Sequence, residues 1–146
     1  MPRLFTLSQA GLMLPFVARV LRHAIGAQEE HDEATRLLHG LGQRILLMGG
    51  ISVNTTQVEN WKIQLSSSGE RLQSSLGKLE DAGVLVKDLK TGLVDFPTMF
   101  RGEEVYLCWR LGEGKIDYWH GVHEGFAGRR EINKDFIDNH HGGELA

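Results

Sequence analysis

The chain has 146 residues, 41% of them hydrophobic, which is the usual length of one domain and enough apolar material for one core. Its net charge is −3, with eight basic and eight acidic residues up to Gly83 and eight and eleven beyond it, so neither half offers the basic face that a nucleic-acid backbone requires. Cys108 is the only cysteine, the start lacks an apolar secretion segment, and runs such as Leu12 to Ala18 fall short of a membrane span; a soluble, cytoplasmic protein without disulfides is expected, binding neither nucleic acid nor membrane.

Thr6 followed by Gln9 makes a capping box, with Phe5 placed to staple against Ala10. The helix that starts there is long. Ala10, Leu14, Val17, Leu21 and Ala24, then Ala27, His31, Ala34, Leu38, Leu41, Ile45 and Met48, step by fours and threes with one slip after Leu21. That is the seam of a coiled coil with a stammer. Pro15 lacks an amide hydrogen and crowds the carbonyl of Gly11, so the helix either kinks there or begins its regular part there. Gly49 and Gly50 end it, and Asn54 or Thr55 caps a second helix. That helix has Val58, Trp61, Leu65, Leu72, Leu76, Leu79 and Ala82 on its apolar side and Gly83 past its end.

A short connection makes the two an antiparallel hairpin. Its seam is poor, with Ser66 to Gly69 and Ser74 to Ser75 on one helix and Gln28 to Glu33 on the other, so the hairpin is expected to need a second copy or a sheet. The first helix outruns the second by roughly 20 Å at 1.5 Å per residue. The wide apolar arc from Leu12 to Ile25 suits covering a sheet.

From Val84 onward the pattern changes to an antiparallel meander of about four strands, with turns at Lys90 to Gly92, Arg101 to Glu103 and Gly112 to Gly114. A four-residue last loop would pair Leu111 with Ile116, and hence Trp109 with Tyr118, Cys108 with Trp119 and Leu107 with His120. Paired residues share a face. Val105, Leu107, Trp109, Leu111, Ile116, Tyr118 and His120 are then expected on the core face, with His120 at its margin. Tyr106, Cys108, Arg110, Asp117 and Trp119 are expected on the other. Ile132 to Asn139 has material for one or two helical turns, with Phe136 and Ile137 as anchors, and His140 to Ala146 reads as disordered. The expected architecture is α+β in a single domain over residues 1–146: helical hairpin 1–83, sheet and glycine loop 84–132, tail 133–146.

His120, His123 and Glu124, with the Asp95 carboxylate from another strand and Cys108 as a further candidate, form a set able to ligate zinc, nickel or iron(II). The expected pairing holds Cys108 apart from His120. Asp95 lies within an apolar stretch, an expensive place for a lone carboxylate, and calls for Arg101, Arg129 or His120 as partner. Asp95, Arg101 and Arg129 are thus also the candidate ligand-binding residues, with the Gly125 to Gly128 amides facing an anion and Arg129 as a clamp. Each has a plainer reading: a histidine capping the sheet edge, a structural ion pair, a tight turn with Phe126 as a core plug. Cys108 reads first as a small buried hydrophobe. His23, His31 and His39 recur every eight residues, about 80° apart on a helix, and cannot share one metal.

Lys87 to Leu89, Gly92 to Pro97, Glu104 to Gly112, Trp119-His120 and Gly125 to Arg129, with Phe5 to Leu7, Ala10 and Leu14-Pro15, resemble family 2203 of the domains of unknown function, a bacterial family. The resemblance covers nearly the whole chain. It implies no activity, catalytic residue or ligand, and it departs at His123, where an acidic residue is expected. Two expectations follow. One is a non-enzymatic interaction module that forms a homo-oligomer through its helices and binds a protein partner or small ligand at the sheet end. The alternative is a metal-dependent or anion-binding enzyme with its site at that end.

Overall fold

Gln9 N–H donates to Thr6 Oγ1 at 3.1 Å and Thr6 N–H to Gln9 Oε1 at 2.9 Å, so both arms of the capping box are made. They start helix α1 (Leu7–Met48), preceded by the two-residue strand β1 (Arg3–Leu4). In the computed structural model, which describes residues 3–49 and 52–144, α1 runs through the exposed Pro15 rather than beginning at it. Gly50 of the expected glycine stop, and the last two residues of the expected disordered tail, lie outside the described residues. Helix α2 (Thr55–Asp81) begins where Asn54 Oδ1 accepts the Gln57 N–H at 3.1 Å. It ends as Gly83 N–H turns back to Glu80 O and Val84 N–H to Leu79 O.

Four longer strands follow: β2 (Leu85–Asp88), β3 (Leu93–Phe100), β4 (Glu103–Arg110) and β5 (Tyr118–Gly121). The short β6 (Arg130–Glu131) pairs with β5, and β7 (His140–His141) pairs with β3. All pairings are antiparallel. The chain is therefore α+β, a long helix pair followed by an antiparallel sheet. Between β3 and β4, Arg101 (φ 52°) and Gly102 (φ 81°) are both left-handed, the backbone of a two-residue hairpin whose twist matches its strands.

The chain divides into two compact units. One takes the chain up to Leu21 and again from Leu76. Its core joins Phe5, Ala10, Val17, Val20 and Leu21 to Val94, Phe96, Val105, Leu107, Trp109 and Ile116 of the sheet region. Of the apolar arc expected to cover the sheet, Leu14, Phe16, Val17, Val20 and Leu21 join this core, whereas Leu12 is 83% exposed. By length and composition α1 would also suffice to cross a membrane, yet in this unit its Ala10, Val17, Val20 and Leu21 are fully or almost fully buried in protein.

The other unit is Arg22–Ser75. Within it Ala24, Ala27, Ala34 and Ser68 are buried, Glu30 pairs with Arg71, and His31 packs against Gly69. The seam is as thin as the serines and alanines dictate.

Two expectations are corrected. The first is the last hairpin, in which Cys108 pairs with Tyr118, Leu107 with Trp119 and Tyr106 with His120, one residue off the expected register. The cause is Glu113. Its carboxylate accepts the Arg110 N–H at 2.7 Å, its carbonyl accepts the Trp109 Nε1–H at 3.1 Å, and its own N–H donates to Arg110 O. The chain therefore leaves the ladder directly after Arg110, in a longer loop. A slip of one residue exchanges the faces of β5, so Trp119 joins the core side and Tyr118 and His120 join Cys108.

Lys134–Asn139 forms helix α3, inside the segment expected to make one or two turns, capped where Asn133 Oδ1 accepts the Phe136 N–H at 2.9 Å. The second correction is the end of the tail. Residues expected to be disordered form β7 and β8 (Gly143–Glu144), the latter paired with β1. Phe136 is fully buried, stacked with Phe100, Trp119 and His140, whereas Ile137 is exposed.

Candidate functional site

The corrected register decides what shares a face. Leu85, Asp95, Pro97, Tyr106, Cys108, Tyr118 and His120 occupy the side of the sheet away from the Phe96–Leu107 core. Asp95 and Cys108 are direct cross-strand partners on β3 and β4, and His120 stands diagonally on β5. Three adjacent strands thus supply one side chain each. All three are buried, with relative exposures of 1%, 0% and 3%, and their donor atoms lie within 4.8 Å of one another.

His120 is held at both ring nitrogens. Nδ1 lies 2.8 Å from the Gly121 carbonyl, and Nε2 lies 3.0 Å from Asp95 Oδ1. A carbonyl only accepts, so Nδ1 carries a hydrogen and donates it. The remaining proton of the pair then lies between Nε2 and Oδ1. Without it two lone pairs would face each other, so the pair keeps it, either as imidazolium with carboxylate or as imidazole with carboxylic acid. Both forms are neutral overall, which suits a buried site. Burial pushes the Asp95 carboxyl above the usual 3.8, against the opposing influence of His120. Asp95 Oδ2 is buried without a hydrogen-bond partner. The ring of Tyr106 meets His120 edge-on at 5.6 Å, and Lys87 lies 4.8 Å over the Tyr106 ring.

The Gly121 carbonyl that orients His120 belongs to a peptide whose neighbouring N–H is also fixed. Gly121 N–H donates to Glu124 Oε1 at 2.9 Å, and Glu124 pairs with Arg130 at 2.8 Å. Glu124 fills the space beside two glycines: a Cβ at Gly121 would lie 2.8 Å from its Oε1, and one at Gly128 2.9 Å from its Cβ. The glycines of this loop make room for that side chain.

Cys108 is not arranged as a nucleophile. Burial pushes its thiol up to about 12, and both His120 nitrogens are engaged elsewhere. Arg129 is occupied too. It pairs with Glu113 at 2.7 Å, donates to Cys108 O at 3.4 Å, and lies between the rings of Tyr118 and Phe126, 4.1 and 4.6 Å from their centroids. The amides of Glu124, Gly128 and Arg129 donate to carbonyls within their own loop, and Phe126 is 42% exposed rather than a core plug.

Of the residues singled out from sequence, Asp95 and His120 come together. His123 is exposed, and Cys108 takes the third position beside the pair. Arg129 lies over the same face but is committed to Glu113. Arg101 stands in the β3–β4 turn and pairs with Asp135. Glu124 belongs to the expected constellation, but it holds the Gly121 amide and Arg130 instead of serving as a ligand. Two participants have no signal as site residues: the Gly121 carbonyl, and Glu113, whose Gly-Glu-Gly setting marks only a turn.

The fold and site define an α+β protein with a long helix pair and a buried carboxylate–thiol–imidazole cluster on its sheet. Residues 3–132 match the family described as "Uncharacterized conserved protein (DUF2203)", and the chain belongs to that family. No curated protein and no solved structure matches it.

Proposed function

We propose that the protein is a non-enzymatic interaction module that associates with itself through its helices. The observation that carries this reading is the composition of the Arg22–Ser75 unit. The residues buried there among those described are alanines and serines, while Leu46, Leu47, Met48 and Ile63 are 84%, 86%, 67% and 62% exposed. A hairpin whose fully buried residues are only Ala and Ser, with Leu38, Trp61, Leu65 and Leu72 half-buried, gains little from folding on itself. Each of the two leucines, moved out of water into a second copy, would contribute about 1.5–3 kcal/mol. A micromolar complex needs about 8 kcal/mol, so they supply a substantial share.

The chemistry of the sheet side supports the non-enzymatic part. With no ion bound, its thiol is held protonated, both nitrogens of its imidazole are hydrogen-bonded, and its half-buried arginine is paired with a carboxylate. A work place in the bacterial cytoplasm fits the single buried free thiol.

The test is light scattering of the wild type beside a Leu46→Lys/Leu47→Lys double variant. Both positions are exposed, so the variant should keep its helicity and its melting temperature. The wild type is expected to show a dimeric or larger mass that the variant loses, with dissociation weakened at least tenfold. Equal masses at equal concentrations would remove the reading.

A further inference from the structure

We infer that Asp95, Cys108 and His120 form a binding site for one divalent transition-metal ion of the zinc class. The inference is independent of self-association, because every ligand comes from the sheet unit of one chain.

Four features point to an ion. First, the donors come from three adjacent hydrogen-bonded strands, which is a rigid mounting. Bonds of about 2.0–2.3 Å around a tetrahedral ion place donors about 3.3–3.7 Å apart. Donors already within 4.8 Å need side-chain rotations of about 1 Å to close on it.

Second, the histidine is prepared. A metal-bound imidazole ordinarily donates its other N–H to a carbonyl or carboxylate. His120 does so through Nδ1 to Gly121 O, which leaves Nε2 aimed at the Asp95 and Cys108 side. The Glu124–Gly121 hydrogen bond holds that peptide in place.

Third, Asp95 Oδ2 is a carboxylate oxygen buried inside protein with no partner. A buried oxygen that nothing satisfies is costly, and an ion between the three side chains would satisfy it.

Fourth, the charges balance. A divalent ion with one carboxylate, one thiolate and one neutral imidazole has no net charge. On binding, the thiol proton and the proton shared by Asp95 and His120 leave together, and the site is neutral before and after. A trivalent ion would leave a net charge in a dry place.

The donor atoms decide the class. One sulfur, one nitrogen and one carboxylate suit zinc, cobalt, nickel or iron(II). Magnesium and calcium prefer all-oxygen shells. Three protein ligands leave a further position, which a second Asp95 oxygen or a water can take.

Because Cys108 is the only cysteine, cobalt(II) reports on the site without any variant. Chelator-treated wild-type protein, still folded by circular dichroism, is titrated with Co²⁺. The expected result is a thiolate-to-cobalt charge-transfer band that saturates at one ion per chain and is bleached by Zn²⁺. Zn²⁺ should also raise the wild-type melting temperature.

In Cys108→Ser the charge-transfer band should vanish, and in His120→Asn affinity should fall at least tenfold. His123→Ala should match the wild type. Folded wild type that shows no sulfur band at saturating Co²⁺ would overturn the site, and so would a band that depends on His123. Should His120→Asn fail to fold, the wild-type band and its loss in Cys108→Ser still decide the matter.

Discussion

At the scale of single residues, the buried Asp95–His120 pair is sensitive to which member is lost, because its two members are not equivalent to mutation. His120→Ala leaves a buried carboxyl with no partner and is expected to destabilise the fold by about 3–5 kcal/mol. Asp95→Asn keeps a neutral pair, because the amide can donate to Nε2 while Nδ1 still donates to Gly121. Its cost should be less than half as large. Urea unfolding of the two variants checks this, and equal costs would show that the hydrogen-bond geometry is wrong.

Glu113 carries a pH dependence. Burial pushes its carboxyl up, but the hydrogen bond and charge of Arg129, with the Arg110 amide, outweigh that and hold it below the usual 4.5. A depressed carboxyl contributes stability that is present above its unfolded value and lost as pH falls through the folded one. The wild type should therefore lose stability progressively below about pH 4.3. Glu113→Gln should be less stable at neutral pH and flatter in acid, and parallel profiles would contradict the pairing. The same residue explains the limit of the sequence reading. Asp95, His120 and Cys108 were all visible as unusual residues, yet they fell on opposite faces because nothing in the pattern says that a loop glutamate will take the Arg110 amide.

At the scale of elements, the helices were the most legible part. A capping box, an Asn cap and a Gly83 stop are local chemistry, written within a few residues of where they act. In the last segment the short helix and its Phe136 anchor were legible, but the two-residue strands after it have no pattern of their own. The segment is held by distant partners: Phe136 among Phe100 and Trp119, and His140, whose Nε2 accepts the Leu7 N–H at 3.0 Å. These contacts lie beyond the residues that the family match spans, yet they enter the same core. Phe136→Ala is expected to cost about 3–5 kcal/mol, as much as any buried aromatic in the sheet. A thermal melt that hardly moves would show that the segment merely rests on the surface.

At the scale of the whole molecule, the chain invests its large side chains unevenly. Phe5, Phe96, Leu107, Trp109 and Phe136 are buried in the sheet unit, and the Arg22–Ser75 unit makes do with alanine and serine. The poverty of that seam was readable directly from Ser66 to Gly69 and Gln28 to Glu33. The exposure of Leu46 to Met48 was not, since Ile45 and Met48 continue the seam by spacing alone. An apolar helix end without cover, on a hairpin that buries little, is what makes self-association the central claim. Sedimentation equilibrium from low to high micromolar protein tests it most directly. The account predicts a mass that rises with concentration to at least twice that of the chain, and that reverts to the chain mass in Leu46→Lys/Leu47→Lys. A folded protein that stays at the monomer mass over the whole range would contradict it.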